Sequence, residues 1–401
     1  MDRPKFFKDW LPENREPIER WRKRIKIKAG KKGDPLLPVM QEFSDLIERD
    51  PVVRMNITRM IEQIPLKYRS EHPKSVGELL QWLNAILTTA PDFNNTEAVG
   101  TPLSAILMWT MGTPAGFEAY RNEKINTMFK KILGAWTIFL DGPASRYVLN
   151  KNRNGWQCKA AMDQLHMQDY RYQTDAPYWG FKSWNAFFTR SLAAGARPIT
   201  EPDNDKVIVS ACDSTVYVVE PDVQRTTQFW IKSQPHSLAD MLGAATEYVD
   251  AFVGGHVYQA FLNPFNYHRW HSPVSGTIKK AFVQEGLYFS QANSEKEDPT
   301  IQDHSEGYIT QVQTRAIIII EADDKTIGPV CVMPVGMVEI SSCIIGSKIV
   351  PGARVVKGQE LGYFQFGGST HCLIFRKGAI RRFAAKKGDF KKVGQQIALA
   401  N

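Results

Sequence analysis

A serine that follows two glycines near the C-terminus is the first candidate for chemistry. The segment 366–371 reads FGGSTH and puts a hydroxyl directly after a flexible stretch of backbone. Because glycine adopts conformations that other residues avoid, the Ser369 hydroxyl could reach the carbonyl carbon of Gly368. An ordinary turn is the alternative, and this segment alone does not decide between the two interpretations.

Two histidines lie three residues apart in the segment 267–273, which reads YHRWHSP. On a strand or an irregular segment, His268 and His271 point in different directions, so a shared metal ion is not predicted. Their chemistry would be proton transfer, with a separate task for each ring. Structural histidines beside a proline turn are the alternative.

Asp213 is the third candidate, because it lies inside the apolar, β-branched segment 207–219. A carboxylate is costly to bury without a partner. A histidine partner would relieve that cost and would itself be oriented, as in a Ser-His-Asp relay. An exposed aspartate at the end of a strand is the alternative.

The first half of the chain, which must help to position these residues, has the apolar spacing of amphipathic helices. Ser75 and Glu78 form the sequence pattern of a capping box. The apolar positions of the four predicted stretches are Val39, Phe43, Leu46 and Ile47; Val53, Ile57, Met60, Ile61 and Ile64; Leu79, Leu80, Leu83, Ile86 and Leu87; and, from Phe117 to Leu140, Tyr120, Ile125, Phe129, Ile132, Leu133 and Trp136. The aromatic-rich segment 170–200 is interpreted as a linker helix into a second domain.

The second half has the pattern of short strands. Segment 207–219 alternates and is rich in β-branched residues, and segment 260–283 is broken by Pro264, Pro273 and Gly276. Further short, strand-like segments follow, beginning with 316–322. Short strands with turns every 8–12 residues or so are typical of a barrel or sandwich. The predicted fold class is therefore α+β, with a helical N-terminal domain followed by a β-rich, barrel-like or sandwich-like domain. A chain of 401 residues is long enough for both.

The net charge of +8 comes from one segment. Eight of the 50 Lys and Arg residues lie between positions 20 and 32, with no acidic residue among them. Without these eight, basic and acidic residues are equal in number. Such a cluster can dock on anionic lipid or nucleic acid. A solvated, partly disordered arm over residues 1–35 is the simpler interpretation.

Five scattered cysteines and the absence of common cofactor motifs narrow the class further. The cysteines form no CxxC pair, so neither a disulfide framework nor a zinc site is predicted. The sequence has no GxGxxG, GxxxxGK[ST] or GxSxG motif. It also lacks the apolar run of a signal peptide and the ~20 apolar residues of a membrane span. A cytoplasmic protein with no nucleic-acid partner is expected.

The candidate residues and their flanking motifs occur in an order that resembles the phosphatidylserine decarboxylase family. The resembling motifs are FFTR at 187–190, ARPI at 196–199, SxxD at 210–213, YHRxHxP at 267–273, KGxxLGxF at 357–364 and GST at 368–370. The helical front half resembles the branch that holds soluble fungal enzymes related to pyruvoyl-dependent L-tryptophan decarboxylase. The chain departs from the lipid enzymes at Gly367, where they usually carry leucine, and at Cys212 and Ser214, where they carry proline and glycine.

The resemblance implies a helical domain at 36–180 and a catalytic domain at 181–401 that cuts itself between Gly368 and Ser369. The products would be a β chain of residues 1–368 and an α chain of residues 369–401, which stay associated. Ser369 would become a covalent pyruvoyl group. Neither a metal nor a dissociable cofactor is implied.

The resemblance also implies a role for each candidate residue. Asp213 would orient His271, and His271 would take the proton of Ser369. The pyruvoyl carbonyl would form a Schiff base with a small amino-acid substrate and accept the electrons left when CO₂ departs. His268 would protonate the resulting carbanion. The favoured substrate is an aromatic L-amino acid, with L-tryptophan converted to tryptamine.

Three other functions remain open at this point. Phosphatidylserine is the rival substrate, since the basic segment would suit contact with an anionic membrane, although no anchor is predicted. A lipoyl-type or biotinyl-type carrier domain would share the short strands, but no Met-Lys-Met tip is present. A pseudoenzyme that does not process itself is disfavoured, because Asp213, His271 and Ser369 are all present.

Overall fold

The computed structural model describes residues 16–30, 35–66, 69, 72–93, 101–227, 236–291, 305–337, 339, 342–365 and 369–401. The chain forms two compact units. The first, called the helical unit, comprises Met1–Met167, Tyr172–Phe187 and Leu287–Ser305. The second, called the sheet unit, comprises Gln168–Arg171, Phe188–Gly286 and Glu306–Asn401. The predicted α+β class is confirmed, and the domain limits expected at residues 35 and 180 stay predictions.

The helices of the first half of the chain build the helical unit. Their bounds are α1 Glu16–Ala29, α2 Pro38–Arg49, α3 Pro51–Glu62, α4 Val76–Ile86, α5 Pro102–Met111, α6 Pro114–Ala119, α7 Glu123–Asp141, α8 Lys159–Leu165 and, at the boundary with the sheet unit, α9 Trp184–Phe188. Among the described residues, no helix combines the length and apolar character that crossing a membrane requires.

Helix α1 corrects the expectation of a solvated N-terminal arm. Its apolar residues Ile18, Trp21 and Ile25 are at most 3% exposed. Arg22 is also buried, and its Nε and Nη2 atoms donate to the carbonyl of Ala105 at 3.1 and 2.8 Å. These four side chains share one face, because their positions follow the helical repeat. The described part of the basic segment is therefore an amphipathic helix packed in the helical unit. Lys31 and Lys32 lie outside the described residues.

The apolar stretches predicted as helices fall on α2, α3, α4 and α7. The fourth stretch is interrupted, because Tyr120 ends α6 and the Asn122 side chain caps a new helix, α7, that begins at Glu123. Ser75 caps α4, since its hydroxyl accepts a bond from Glu78 N at 3.2 Å. The Glu78 carboxylate accepts in return from Lys74 N at 2.7 Å. The capping box therefore closes one residue earlier in the chain than its usual form, in which the carboxylate bonds the cap residue itself.

The linker helix expected over 170–200 is wrong in extent. Only α9 and the short 3-10 turn Pro177–Gly180 are helical between residues 172 and 200. Within that turn, Tyr178 and Trp179 have φ angles of 56° and 57°, which lie in the left-handed region. A regular helix cannot pass through such residues, so the segment is a series of turns.

The sheet unit consists of antiparallel strands with three short helices. The strands are β1 Val207–Val209, β2 Ser214–Val223, β3 Gly255–Leu262, β4 Arg269–His271, β5 Gly276–Gln284, β6 Arg315–Ala322, β7 Pro329–Gly336, β8 Ser342–Ile345, β9 Arg354–Val355, β10 Glu360–Gln365, β11 Ser369–Phe375, β12 Ile380–Phe383, β13 Phe390–Lys391 and β14 Gln396–Ala400. The helices are α10 Leu238–Leu242, α11 Val249–Phe252 and α12 Glu306–Val312. The largest sheet has the order β13-β2-β3-β11-β7-β6-β5-β9, and two three-stranded sheets have the orders β1-β14-β12 and β4-β10-β8.

The two faces of the eight-stranded sheet bury separate apolar clusters. Tyr258 and Leu373 belong to one cluster, while Val257 and Cys372 belong to the other. Successive strand residues point to opposite faces, so a strand covered on both sides must be apolar throughout. This explains the uninterrupted apolar run at 316–320 in the centre of β6, where every residue is fully buried.

Neighbouring strands of this sheet bring the candidate residues to one end. β11 begins at Ser369, which lies opposite Leu262 at the end of β3 and also faces the end of β7. β2, on the other side of β3, begins directly after Asp213. The loop that carries His268 follows β3. Since adjacent strands lie about 4.8 Å apart, the backbones of β2 and β11 are separated by roughly 10 Å.

We expect Trp21→Ala to lower the free energy of unfolding by about 3–5 kcal/mol, because the indole is 3% exposed in the core of the helical unit. Ile27 lies on the same helix and is 71% exposed, so Ile27→Ala is the matched control and should change stability by less than about 0.5 kcal/mol. Urea unfolding followed by far-UV circular dichroism measures both. Equal midpoints for the two variants would contradict the packing of α1.

Candidate active site

The Ser369 hydroxyl lies in a fully buried position at the start of β11. The residue is 0% exposed, and among the described residues no donor or acceptor reaches its Oγ. A buried hydroxyl without a bond lowers stability by about 1–3 kcal/mol. Such an orphaned group calls for an explanation, and a reaction that consumes it is one. Gly368, the predicted cleavage partner, lies outside the described residues.

Asp213 is held by an arginine rather than by a histidine. Arg197 Nε lies 3.0 Å from Asp213 Oδ1, and Arg197 Nη2 lies 2.5 Å from Oδ2. The backbone N of Val393 also donates to Oδ1 at 2.8 Å. Asp169 binds the remaining arm of the guanidinium at 2.8 Å. Both partners of the Arg197–Asp213 pair are almost fully buried, so this two-pronged contact satisfies a carboxylate that would otherwise be costly to bury.

The ring of His271 is oriented by two neutral groups. Its Nδ1 lies 2.8 Å from the carbonyl oxygen of Gly358, and its Nε2 lies 2.9 Å from the hydroxyl of Tyr267. A carbonyl only accepts, so Nδ1 carries the proton and Nε2 is the basic nitrogen. The expected direct contact with Asp213 is absent from the described hydrogen bonds of both residues. The Asp213 charge still acts through space and favours protonated His271.

Burial sets the protonation of His271. It lowers the pKa of the ring below its ordinary value of 6.5, and this effect outweighs the acceptor bond to Gly358 and the charges of Glu360 and Asp213. Burial likewise raises the pKa of the Tyr267 phenol, so the phenol keeps its proton. A neutral imidazole beside a neutral phenol is the result, with the phenol donating to Nε2.

Gly358 can orient His271 because its backbone is left-handed. Its φ angle is +81°, and a Cβ at this position would lie 2.3 Å from Cδ1 of Ile199. Only glycine adopts this conformation without strain and also fits against that side chain. The KG motif at 357–358 therefore shapes the carbonyl that fixes the His271 tautomer, and Ile199 of the ARPI motif packs against it.

His268 is fully buried on the loop between β3 and β4. Its ring stacks on Phe188, with centroids 4.1 Å apart and an interplanar angle of 26°. Its carbonyl accepts a bond from Phe364 N at 2.9 Å. The second residue of the FFTR motif therefore covers one face of this imidazole.

The rest of the FFTR motif fastens the same loop. Arg269 donates from Nε and Nη2 to the carbonyl of Thr189 at 2.9 and 2.7 Å. Arg190 Nη2 donates to the carbonyl of Phe265 at 3.0 Å, and its guanidinium lies over the Tyr170 ring at 4.2 Å. Both arginines cross-link backbone around the histidines, so the motif is a support for the loop that carries them.

Sequence reasoning missed three residues that complete this arrangement. Arg197, Tyr267 and Gly358 all lie inside the quoted motifs, but no role was assigned to them. Their motifs were a usable signal for position, and Tyr267 lies only four residues before His271. The contacts of Arg197 and Gly358 join residues 16 and 87 positions apart and are not encoded locally. No group of three or more His, Cys, Asp or Glu suited to a metal ion occurs among the described residues.

We expect Arg197→Met to lower the free energy of unfolding by about 3–5 kcal/mol, because it leaves the Asp213 carboxylate buried and unpaired. Arg354→Met is the matched control, since Arg354 pairs with Asp323 at the surface with 60% of its side chain exposed. An exposed pair contributes less than about 1 kcal/mol. Urea denaturation of both variants checks the difference, and similar losses would contradict the burial of the Arg197–Asp213 pair.

Comparison with known proteins places this arrangement in a family. A protein-family model described as phosphatidylserine decarboxylase matches residues 184–399, and a second model for the same enzyme matches residues 37–165. Together the two matches extend over both units.

Individual relatives agree with these models. Decarboxylase iboD of Amanita muscaria is 36% identical over 296 residues, which is 69% of this chain and 84% of that protein. The L-tryptophan decarboxylase of Psilocybe cubensis is 34% identical over 367 residues, covering 85% of this chain and 81% of that protein. Phosphatidylserine decarboxylase proenzyme 3 of Schizosaccharomyces pombe is 32% identical over 233 residues, covering 56% of this chain but 23% of that protein. The chain therefore belongs to the phosphatidylserine decarboxylase family, in the branch that includes the fungal L-tryptophan decarboxylases.

Proposed function

We propose that this protein cleaves itself between Gly368 and Ser369, converts Ser369 into a pyruvoyl group and decarboxylates an L-amino acid. The observation that carries the proposal is the Ser369 hydroxyl, which is fully buried and makes no hydrogen bond among the described residues. It follows Gly368 directly in a chain that belongs to a family of decarboxylases. A serine kept for reaction accounts for a buried hydroxyl that has no partner in the described part of the chain.

The setting of Ser369 fits a pyruvoyl precursor. The residue pairs with β3 on one side and β7 on the other, so a new chain end at this point would be held by two ladders. When formed, the pyruvoyl group would supply an electron sink for the loss of CO₂ from an amine-bearing substrate. The residues that would surround it are those of the buried strand ends, which exclude water.

The cleavage step needs groups of this chain and one water molecule. Ser369 Oγ bonds to the carbonyl carbon of Gly368 while the peptide C–N bond breaks, and the freed nitrogen takes up a proton. Loss of the Ser369 Cα proton then breaks the Cβ–O ester bond, releases Gly368 as a carboxylate and leaves a Cα=Cβ double bond (dehydroalanine). This enamine tautomerises to an imine as Cβ gains a proton, and water hydrolyses the imine to the pyruvoyl carbonyl and ammonia.

We assign the proton acceptor for this step to His271. Its Nε2 is the basic nitrogen, because Nδ1 donates to Gly358. The Tyr267 hydroxyl lies 2.9 Å from His271 Nε2 and donates its proton to it. In this proposal, Tyr267 therefore either relays the serine proton to His271 or is displaced from Nε2 by Ser369. In this proposal, Asp213 acts by its charge, which favours the imidazolium formed during transfer.

His268 is proposed to return a proton to the substrate carbon after CO₂ has left. It lies on the loop after β3, whose last residue faces Ser369. Stacking on Phe188 fixes the plane of its ring. A general acid requires such positioning, and this kind of proton transfer accelerates reactions by about 10²–10⁴-fold.

We propose that the two fragments stay associated after cleavage. Residues 369–401 supply β11 inside the eight-stranded sheet, β14 in the middle of a three-stranded sheet, and β12 and β13. Val393 of this segment also binds Asp213. Extracting the small fragment would break ladders in two sheets, so both fragments should elute together without denaturant.

The proposed substrate is L-tryptophan, with tryptamine as the product. The support is the likeness to relatives named L-tryptophan decarboxylase, which align over 85% and 90% of this chain. Phosphatidylserine is the alternative, because the family models carry that name. Release of CO₂ from L-tryptophan, compared with phosphatidylserine in vesicles, separates the two substrates.

We expect Ser369→Ala to leave one full-length band and no decarboxylase activity, because no hydroxyl is available for attack. His268→Ala should instead split normally and lose about 10²–10⁴ in kcat. Ser145→Ala, which removes another fully buried serine hydroxyl, is the matched control and should split and turn over substrate. Denaturing gels and CO₂ release measure the outcomes. Cleavage in Ser369→Ala would refute the proposal.

Cleavage should slow in acid, with a midpoint below pH 6.5. Burial lowers the pKa of His271 from 6.5, so the neutral, proton-accepting ring persists to lower pH than for a solvated histidine. The rate should be constant near neutrality and fall only as the ring is protonated. A gel time course of precursor made in a cell-free system, at a series of pH values, checks this. A midpoint above 6.5 would remove His271 from its assigned role.

A further inference from the structure

A network of hydrogen-bonded polar side chains includes Thr370, the residue after Ser369. His236 contacts the Glu220 carboxylate through Nδ1 and Gln259 Oε1 through Nε2 at 2.9 Å. Gln259 Nε2 lies 3.2 Å from Thr370 Oγ1 and 2.9 Å from Glu306 Oε2. His236, Gln259, Glu306 and Thr370 are each at most 2% exposed. The function described above does not use any of these groups.

The oxygens around Gln259 Nε2 fix which atoms donate and which accept in this hydrogen-bond network. Gln259 Nε2 faces three oxygens, including the carbonyl of Glu306 at 3.2 Å, so this atom must be the amide nitrogen. Gln259 Oε1 therefore accepts from His236 Nε2. Thr370 Oγ1 accepts from Gln259 and donates to the carbonyl of Ala260 at 3.1 Å. Both roles of this hydroxyl are occupied, so its rotamer is held.

The side chains of this hydrogen-bond network lie on the sheet face opposite to the Ser369 side chain. Gln259 faces Cys372 in the register of β3 and β11, and Thr370 is two residues away on the same face. Ser369 points to the other face, because successive strand residues alternate. Gln259 therefore fixes the backbone that carries Ser369 without touching the reacting atoms.

We propose that Gln259 is a positioning residue, which holds Thr370 and thereby the chain end at residue 369 for cleavage and decarboxylation. This inference rests on the proposed function. Cleavage turns the first residue of β11 into a chain terminus, and termini fray unless they are tied down. The bond from Gln259 to Thr370 ties the second residue of that new end to β3, and the bonds to His236 and Glu306 keep the amide from rotating away.

The first experiment measures hydrogen exchange and does not depend on cleavage. Gln259→Leu is introduced into Ser369→Ala protein, and exchange at 369–372 is compared with that of Ser369→Ala alone. We expect exchange there to accelerate about fivefold or more, as loss of a net hydrogen bond implies. Unchanged exchange overturns the proposal, whether or not the unsubstituted protein processes itself.

The second experiment separates positioning from general destabilisation. Thr370→Val keeps the shape of the side chain and removes the hydroxyl, whereas Thr370→Ser keeps the hydroxyl. In the cleaved fraction, with L-tryptophan as substrate, we expect Thr370→Val to lower kcat about tenfold with little change in KM. Thr370→Ser should recover most of the rate. Thr310→Val is the control, because Thr310 is equally buried and its hydroxyl donates to the carbonyl of Gly307 within α12.

The double variant Gln259→Leu/Thr370→Val completes the test. If Gln259 acts through Thr370, the double variant is no slower than the slower single variant, because both changes remove one shared bond. Additive losses, or a Thr310→Val loss as large as that of Thr370→Val, overturn the proposal. Failure of the unsubstituted protein to split or to release CO₂ would instead count against the proposed function.

Discussion

The insertion of β11 between β3 and β7 is the constraint on which the site depends. Because β11 is paired on both sides, its backbone N–H and C=O groups bond to β3 and β7. Its first residue is therefore fixed beside Leu262 and Gly336, where those two strands end. Ser369 occupies that position, and the histidine loop follows the partner strand. Apolar clusters on both faces bury the sheet, which explains how the Ser369 hydroxyl is fully buried without a partner among the described residues.

The charged and polar side chains of the site have specific hydrogen-bond partners. The Asp213 carboxylate is satisfied by Arg197 and by Val393 N, while the imidazole of His271 is satisfied by a carbonyl and a phenol. Because the carboxylate and the imidazole have separate partners, their coupling is by charge rather than by a shared proton. The arrangement differs from the hydrogen-bonded relay that residue types alone suggest, and it leaves the basic nitrogen of His271 beside Tyr267.

The spacing of apolar residues predicted much of the secondary structure. The side-chain contacts of the site depend on residues that are distant in the sequence, so spacing did not predict them. The amphipathic stretches of the first half and the β-rich second half followed from spacing and residue type, whereas the roles of the candidate residues came from the family resemblance. The solvated arm was wrong for residues 16–29, where Ile18, Trp21 and Ile25 recur at helical spacing and are buried. The Asp213–His271 contact was not found, because a carboxylate takes the nearest suitable donor, and nothing local marks Arg197 as that donor.

The central claim is that the bond before Ser369 is broken by the hydroxyl of that residue. The intact mass of the small fragment tests it most directly. The account predicts a fragment of residues 369–401 whose mass is lower, by one ammonia, than that of the same fragment with a serine N-terminus. A single unbroken chain that still releases CO₂, or a fragment that begins with an ordinary serine, would contradict it.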